Sequence, residues 1–177
     1  DNIIKEYLPL DYNNKNNYHE IIAATKQSDK NIILFGDYDK NINYDFLNIL
    51  QNIKNINQYK FMLKCHPANK INIEGFEKLR LEIIDDEIDN LKKFKNAIVI
   101  GATGVSLELY IKHFNLVIFH NENDLNYSSL KDVNGVKFAY NKETLENYLL
   151  NIHSEGTDKK QEKLFFQSND QDNWNLN

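Results

Sequence analysis

Apolar positions recur along the chain in two alternating patterns. Short runs of β-branched and aromatic residues alternate with longer stretches whose apolar residues return every three or four positions. The runs predict strands over Asn31–Gly36, Tyr59–Lys64, Leu79–Ile84, Ala97–Gly101, Leu116–His120 and Val136–Tyr140. The third is the weakest, because it carries charges. The helical patterns cover Tyr44–Ile56, with Phe46, Leu47, Leu50 and Ile53 on one stripe, and Ser106–His113. A short helix with an acidic start is expected over Asp85–Phe94, and a last one over Lys142–Ile152 carrying Leu145, Tyr148, Leu149 and Ile152. Strands that are apolar on both sides and separated by helices predict a mostly parallel sheet of about six strands, covered on both faces. The fold class is therefore α/β, a three-layer sandwich. Asp11–Asn17 reads as a polar, Asn-rich loop, and the stretch after His153 is polar apart from Leu164–Phe166 and Trp174. The expected organisation is an N-terminal segment or linker over 1–17, one domain over 18–152, and a tail over 153–177 that packs on the domain or on a second lobe.

Length and composition narrow the function classes. The chain has 177 residues, 41% of them hydrophobic and 27% charged, enough for one compact domain or one lobe of a larger protein. No apolar run approaches the roughly 20 residues of a membrane-spanning helix, and no basic segment followed by an apolar stretch suggests a secretory leader. The net charge of −5 offers no general attraction to nucleic acid or anionic lipid, although a local basic pocket can still hold a phosphate. Cys65 is the single cysteine, which excludes an internal disulfide framework and points to a reducing compartment. Arg80 is the single arginine among many Asn and Ile residues, a bias of composition rather than of function. The first residue is Asp1 and the one methionine is Met62, so a processed chain, or part of a longer polypeptide, is expected.

In a parallel sheet the loops after the strands gather along one edge, and ligands bind there. Those loops are rich in chemistry-bearing residues: Gly36-Asp37-Tyr38, Lys64-Cys65-His66-Pro67, Gly101 through Ser106 leading to Glu108, His120 to Asn123, and Asn126 to Ser129. Lys64 and His66 are two apart in extended chain, so both side chains can face one side, and Pro67 stops the strand. Lys64 opposes a proton on a neighbouring imidazole, whereas a bound phosphate favours one. His66 would then donate a proton or hydrogen bond to a departing phosphate. The plainer reading is a strand-end histidine bonded only to backbone. Gly101 and Gly104 let the backbone approach a ligand, and Thr103 and Ser106 add hydroxyls at a helix start, where an anion is stabilised. The competing reading makes Ser106 an N-cap. Glu108 suits the helix dipole, or ribose hydroxyls. His19, His113 and His153 read as solvated or capping residues, and His120 ranks below His66. No metal-ligand spacing, nucleophile elbow or Walker-type lysine loop is present in the sequence.

A K-x-H-P at the end of the second strand, followed later by G-x-x-G-x-S-x-E opening a helix, resembles the carboxyl-terminal half of GT-B glycosyltransferases. The resemblance is to the bacterial enzymes with an HP motif: sialyltransferases, Kdo transferases and surface-carbohydrate biosynthesis proteins. Asp124 through Leu130 and Gly135-Val136-Lys137-Phe138 also look like the last group, as does Phe165-Phe166 with Trp174. The resemblance spans roughly Asn31 to Trp174. It implies a Rossmann-like lobe that holds a nucleotide-sugar donor, CMP-sugars being usual, with no further cofactor and no metal. The catalytic residue implied is His66. Gly36, Lys64, Pro67, Gly101, Thr103, Gly104, Ser106, Glu108, Ser128 and Ser129 are implied at the nucleotide and its phosphate. The catalytic base is implied in a second, amino-terminal lobe, which also brings the glycan acceptor. Nucleic acid is not an expected partner and no transmembrane segment is expected. The implied setting is cytoplasmic, with the inner face of the membrane as a place of action. One departure is that Val105 precedes Ser106, where related sialyltransferases often have adjacent Ser/Thr residues. Two alternatives stay open. Ala97–Gly104 reads A-I-V-I-G-A-T-G, near the start of an NAD-type fingerprint, although its third glycine is replaced by Leu107. The other is a non-catalytic interaction module of the same fold.

Overall fold

The computed structural model describes residues 30–91, 94–101, 103–123 and 125–152. The expectations for 1–29 and for the tail from His153, including Leu164–Phe166 and Trp174, lie outside the described residues. Six strands form one sheet: β1 Asn31–Phe35, β2 Lys60–Lys64, β3 Arg80–Ile84, β4 Asn96–Ile100, β5 Asn115–Phe119 and β6 Lys137–Ala139. Their order is β3-β2-β1-β4-β5-β6, and every neighbouring pair is parallel. With α1 Lys40–Gln51, α2 Val105–Ile111 and α3 Lys142–Asn151, this is a Rossmann-like three-layer α/β fold.

Strand alternation sorts the core into two layers. Ile32, Leu34, Leu63, Ile98 and Phe119 pack against Phe46, Leu47 and Leu50 of α1 and Leu145 and Leu149 of α3. Ile33, Phe35, Met62, Val99 and Ile118 face the other way, onto Leu109 of α2 and onto Leu91 and Leu130. Because β1, β4 and β5 are covered on both faces, their sequences are unbroken apolar runs rather than alternating ones. β3 lies at an edge, which explains its charges: Glu82 pairs with Lys60 of β2 at 2.6 Å, and the exposed strand is shielded from pairing with another chain.

Three helices differ from their sequence-based bounds. α1 starts at Lys40, four residues before Tyr44, because Asp39 caps it by accepting the Asn41 N–H. Its first turn is polar apart from Ile42, and hydrophobic periodicity registers it weakly. The helix stops at Gln51, and Asn55 turns the chain with φ 55°. Among the described residues of the expected Asp85–Phe94 helix, the helical part is a 3-10 turn, Ile88–Leu91, with Leu91 buried. α2 begins with Gly104 at its cap position and no side-chain capping bond, so Ser106 is not the N-cap. It ends in a Schellman arrangement: His113 has φ 61°, its N–H reaches Tyr110 O, and Phe114 N–H reaches Leu109 O. α3 keeps its expected start, through a capping box between Asn141 and Thr144.

Candidate functional site

The strand order fixes where a crevice opens. From β1 the chain crosses to β2 on one side, and from β4 it crosses to β5 on the other, so the loops after β1 and β4 diverge at the carboxyl edge. The β1 loop, Gly36 to Asp39, is held by one side chain. Asn43 of α1 is fully buried. Its Oδ1 accepts the Asp37 N–H at 2.7 Å, and its Nδ2 donates to the carbonyls of Asp37 at 2.8 Å and Asp39 at 2.9 Å. The Asp37 carboxylate folds back to accept the Asp39 N–H at 2.7 Å. Its other oxygen lies against Gly101, where a Cβ would collide with it. Gly101 also has φ +75°, so both space and backbone conformation require glycine there. Gly36 is tight as well: a Cβ would stand 3.3 Å from Asn43 Oδ1 and from Ile71.

His66 sits on the same rim. Its Nδ1 accepts the Ala68 N–H at 3.2 Å, so the neutral ring carries its hydrogen on Nε2, available as a donor. The ring meets Tyr38 edge to face, with centroids 5.4 Å apart, and the Asn69 amide donates to the Tyr38 carbonyl. The β1 and β2 loops are thus tied together, and His66, Tyr38, Asp37 and Gly101 form a contact chain across the switch between β1 and β4. Pro67 is exposed at the turn just beyond. Lys64 takes a separate course. Its Nζ donates to the Asp86 carbonyl at 2.8 Å and lies 3.7 Å from Asp85, which draws it toward the loop after β3.

On the β4 side, Ser106 is buried and its hydroxyl donates to the Thr103 carbonyl at 2.8 Å. Its hydrogen is spent inside the turn. Gly104 is exposed, with open space beside its Cα. Glu108 pairs with Lys112 at 3.1 Å, one turn along α2, and Lys112 also binds Asp89 at 2.6 Å. Those two acids, Asp89 foremost, raise the Lys112 pKa above its ordinary value. Ser128 is buried in the β5–β6 loop, where its Oγ accepts the Leu130 N–H at 3.2 Å, while Ser129 is exposed. The Thr103 hydroxyl is buried without a hydrogen-bond partner.

The structure therefore brings together Gly36, His66 and Gly101, and gives Lys64, Ser106 and Glu108 other partners. Sequence reasoning placed Asp37 in the edge loops without giving it a role, and missed Asn43 as the anchor of that loop. A polar residue inside an apolar helical stripe was the available signal for Asn43. A cavity of about 180 Å³ opens at the same edge between α1 and the ends of β5 and β6, beside Asp45, Phe119, Glu122, Tyr140 and Lys142. Among the described residues no group of three or more His, Cys, Asp or Glu side chains is arranged to hold a metal ion, and no helix is long and apolar enough to cross a membrane. No family model and no curated protein sequence matches the chain.

Proposed function

We propose that this chain is the donor-binding half of a bacterial surface-carbohydrate glycosyltransferase of the GT-B type, taking a nucleotide-sugar, with a CMP-sugar favoured. The observation that carries the reading is the contact chain at the strand-order switch, where His66 and Gly101 meet through Tyr38 and Asp37. An open parallel sheet binds its ligand there, and the His66 Nε2–H is a neutral donor suited to a phosphate oxygen. In the complete reaction an acceptor hydroxyl attacks the anomeric carbon as the bond to the nucleotide phosphate breaks. His66 stabilises the departing oxyanion, and a second lobe supplies the base that takes the hydroxyl proton. Asp37 changes the role expected of Glu108: it is the carboxylate positioned at the crevice to accept hydrogen bonds from ribose hydroxyls, while Glu108 is engaged by Lys112.

The NAD-type alternative is disfavoured by the same geometry. In this strand order the pyrophosphate loop follows the first strand, whereas here the glycine-containing turn follows β4 and opens a helix of seven residues. The test is a thermal-shift series with CMP, CDP, UDP and NAD. A ligand at 100 times its Kd adds about 2.7 kcal/mol, which is roughly 5–11 °C for a chain of this size. CMP or CDP should raise the melting temperature, and His66→Ala should remove most of that rise while shifting the unliganded protein little. Stabilisation by NAD alone, or by no nucleotide at millimolar concentration, would refute the proposal.

A further inference from the structure

The cavity of about 180 Å³ at the carboxyl edge shares no residue with the contact chain from His66 to Gly101. Three stretches of chain meet around it: one stripe of α1, the loop after β5, and the turn from β6 into α3. Its size bounds the occupant. A cavity of about 150 Å³ takes a benzene ring, and drug-sized ligands need roughly 300–1,000 Å³. One small molecule therefore fits, and a whole nucleotide is too large.

The apolar part of the lining is held in place. Ile42 and Ile49 stand about two turns apart on α1, and Phe119, which is 3% exposed, packs edge to face on Phe46 with centroids 5.0 Å apart. The Tyr140 ring stacks on Phe138 at 6.2 Å. The backbone N–H groups of Tyr140 and Asn141 both donate to Thr144 Oγ1, at 2.9 and 3.1 Å, so the capping box of α3 also fixes this wall.

Charges of both signs are set into that lining. Asp45 comes between Ile42 and Ile49 on the α1 stripe, and Lys142 is the first residue of α3. Both are exposed, and among the described residues neither side chain has a hydrogen bond or an ion pair. Two opposite charges that line one cavity without meeting suit a molecule that carries both. Glu122 is positioned by the Asn141 amide, which donates to its Oε2 at 3.2 Å and leaves Oε1 for a ligand. The Asn141 Oδ1 accepts the Thr144 N–H, so the N–H groups of Lys142 and Glu143 stay open at the start of the helix. An ammonium is thus matched by Asp45 and Glu122, and a carboxylate by Lys142 and the start of α3.

We propose that this cavity binds a small zwitterion, an α-amino acid with a branched apolar side chain that lies against Ile42, Ile49 and Tyr140. The site is separate from the nucleotide reading and stands or falls without it. The test is calorimetric titration of the 177-residue chain with L-leucine, with 3-methylbutylamine, which lacks the carboxylate, and with 4-methylpentanoate, which lacks the ammonium. L-leucine is expected to bind at millimolar concentration or below, and each analogue about tenfold more weakly, because a hydrogen-bonded charge is lost. Asp45→Asn and Lys142→Gln should each weaken L-leucine about tenfold. Both positions are exposed, so the unliganded melting temperature should not move, which separates a ligand contact from a structural one. Equal binding of L-leucine and either analogue would overturn the proposal, as would native affinity for L-leucine in both variants. Tighter binding of D-glucose than of L-leucine would overturn it in favour of a neutral polyol, and no heat from L-leucine at tens of millimolar would overturn it outright.

Discussion

Replacing Asn43 by Ala tests whether one buried amide builds the switch-point loop. The side chain is fully buried and makes three hydrogen bonds to the Asp37 and Asp39 backbone, at 2.7, 2.8 and 2.9 Å. A net contribution of about 1 kcal/mol for each bond sums to about 3 kcal/mol. For a chain of this size that is a fall in melting temperature of about 6–12 °C. Asn43→Asp separates acceptor from donor. It keeps the acceptor for the Asp37 N–H but turns the Nδ2 donor into an oxygen facing two carbonyls, so it should be no better than Ala. Chemical denaturation with intact secondary structure at zero denaturant reads the stability, and nucleotide titration reads the loop. Both variants are expected to lose stability and to weaken nucleotide binding, because Asp37 and Tyr38 are positioned through this residue. A loss below about 0.5 kcal/mol for Asn43→Ala would refute the reasoning, since an exposed and dispensable amide behaves that way.

Gly101→Ala should cost about 1–2 kcal/mol for its positive φ and more for the collision with the Asp37 carboxylate. In an Asp37→Ala background only the backbone part should remain, so additive losses in a double-mutant cycle would show that the two residues do not touch. Lys60 holds the Glu82 carboxyl below its ordinary value of 4.5, through a hydrogen bond first and charge second. A depressed folded pKa contributes stability above the unfolded value that disappears as pH falls through the folded one. The melting-temperature gap between native protein and Glu82→Gln should therefore be present at neutral pH and shrink as pH falls below the ordinary carboxyl value of 4.5. A gap independent of pH would contradict the pairing.

Much of the scaffold was written in local pattern. The strands of the sheet centre are runs such as Ile32–Phe35 and Ala97–Ile100, whose double-sided burial makes them continuously apolar, and their shortness and β-branched residues mark them as strands. Helix starts were less legible where they depended on polar atoms. Asp39 and Asn43 stabilise α1 by bonds to the loop before it, and periodicity of apolar residues carries no record of that. The site was legible as a set of loops but not as a set of contacts. Asp37 meets Gly101 across 64 positions of sequence, through a strand order that motif spacing does not specify. Ser106 turned inward because the first turn of a short helix left it facing the Thr103 carbonyl. Glu108 had a visible rival partner in Lys112, four residues on, and took it.

The measurement closest to the central claim is a two-dimensional amide NMR titration of the chain with CMP. Shifts concentrated at Gly36–Asp39, His66–Asn69 and Gly101–Gly104, saturating together with one dissociation constant, are the expected result. Shifts confined to another edge of the sheet, or none at millimolar CMP, would contradict the account.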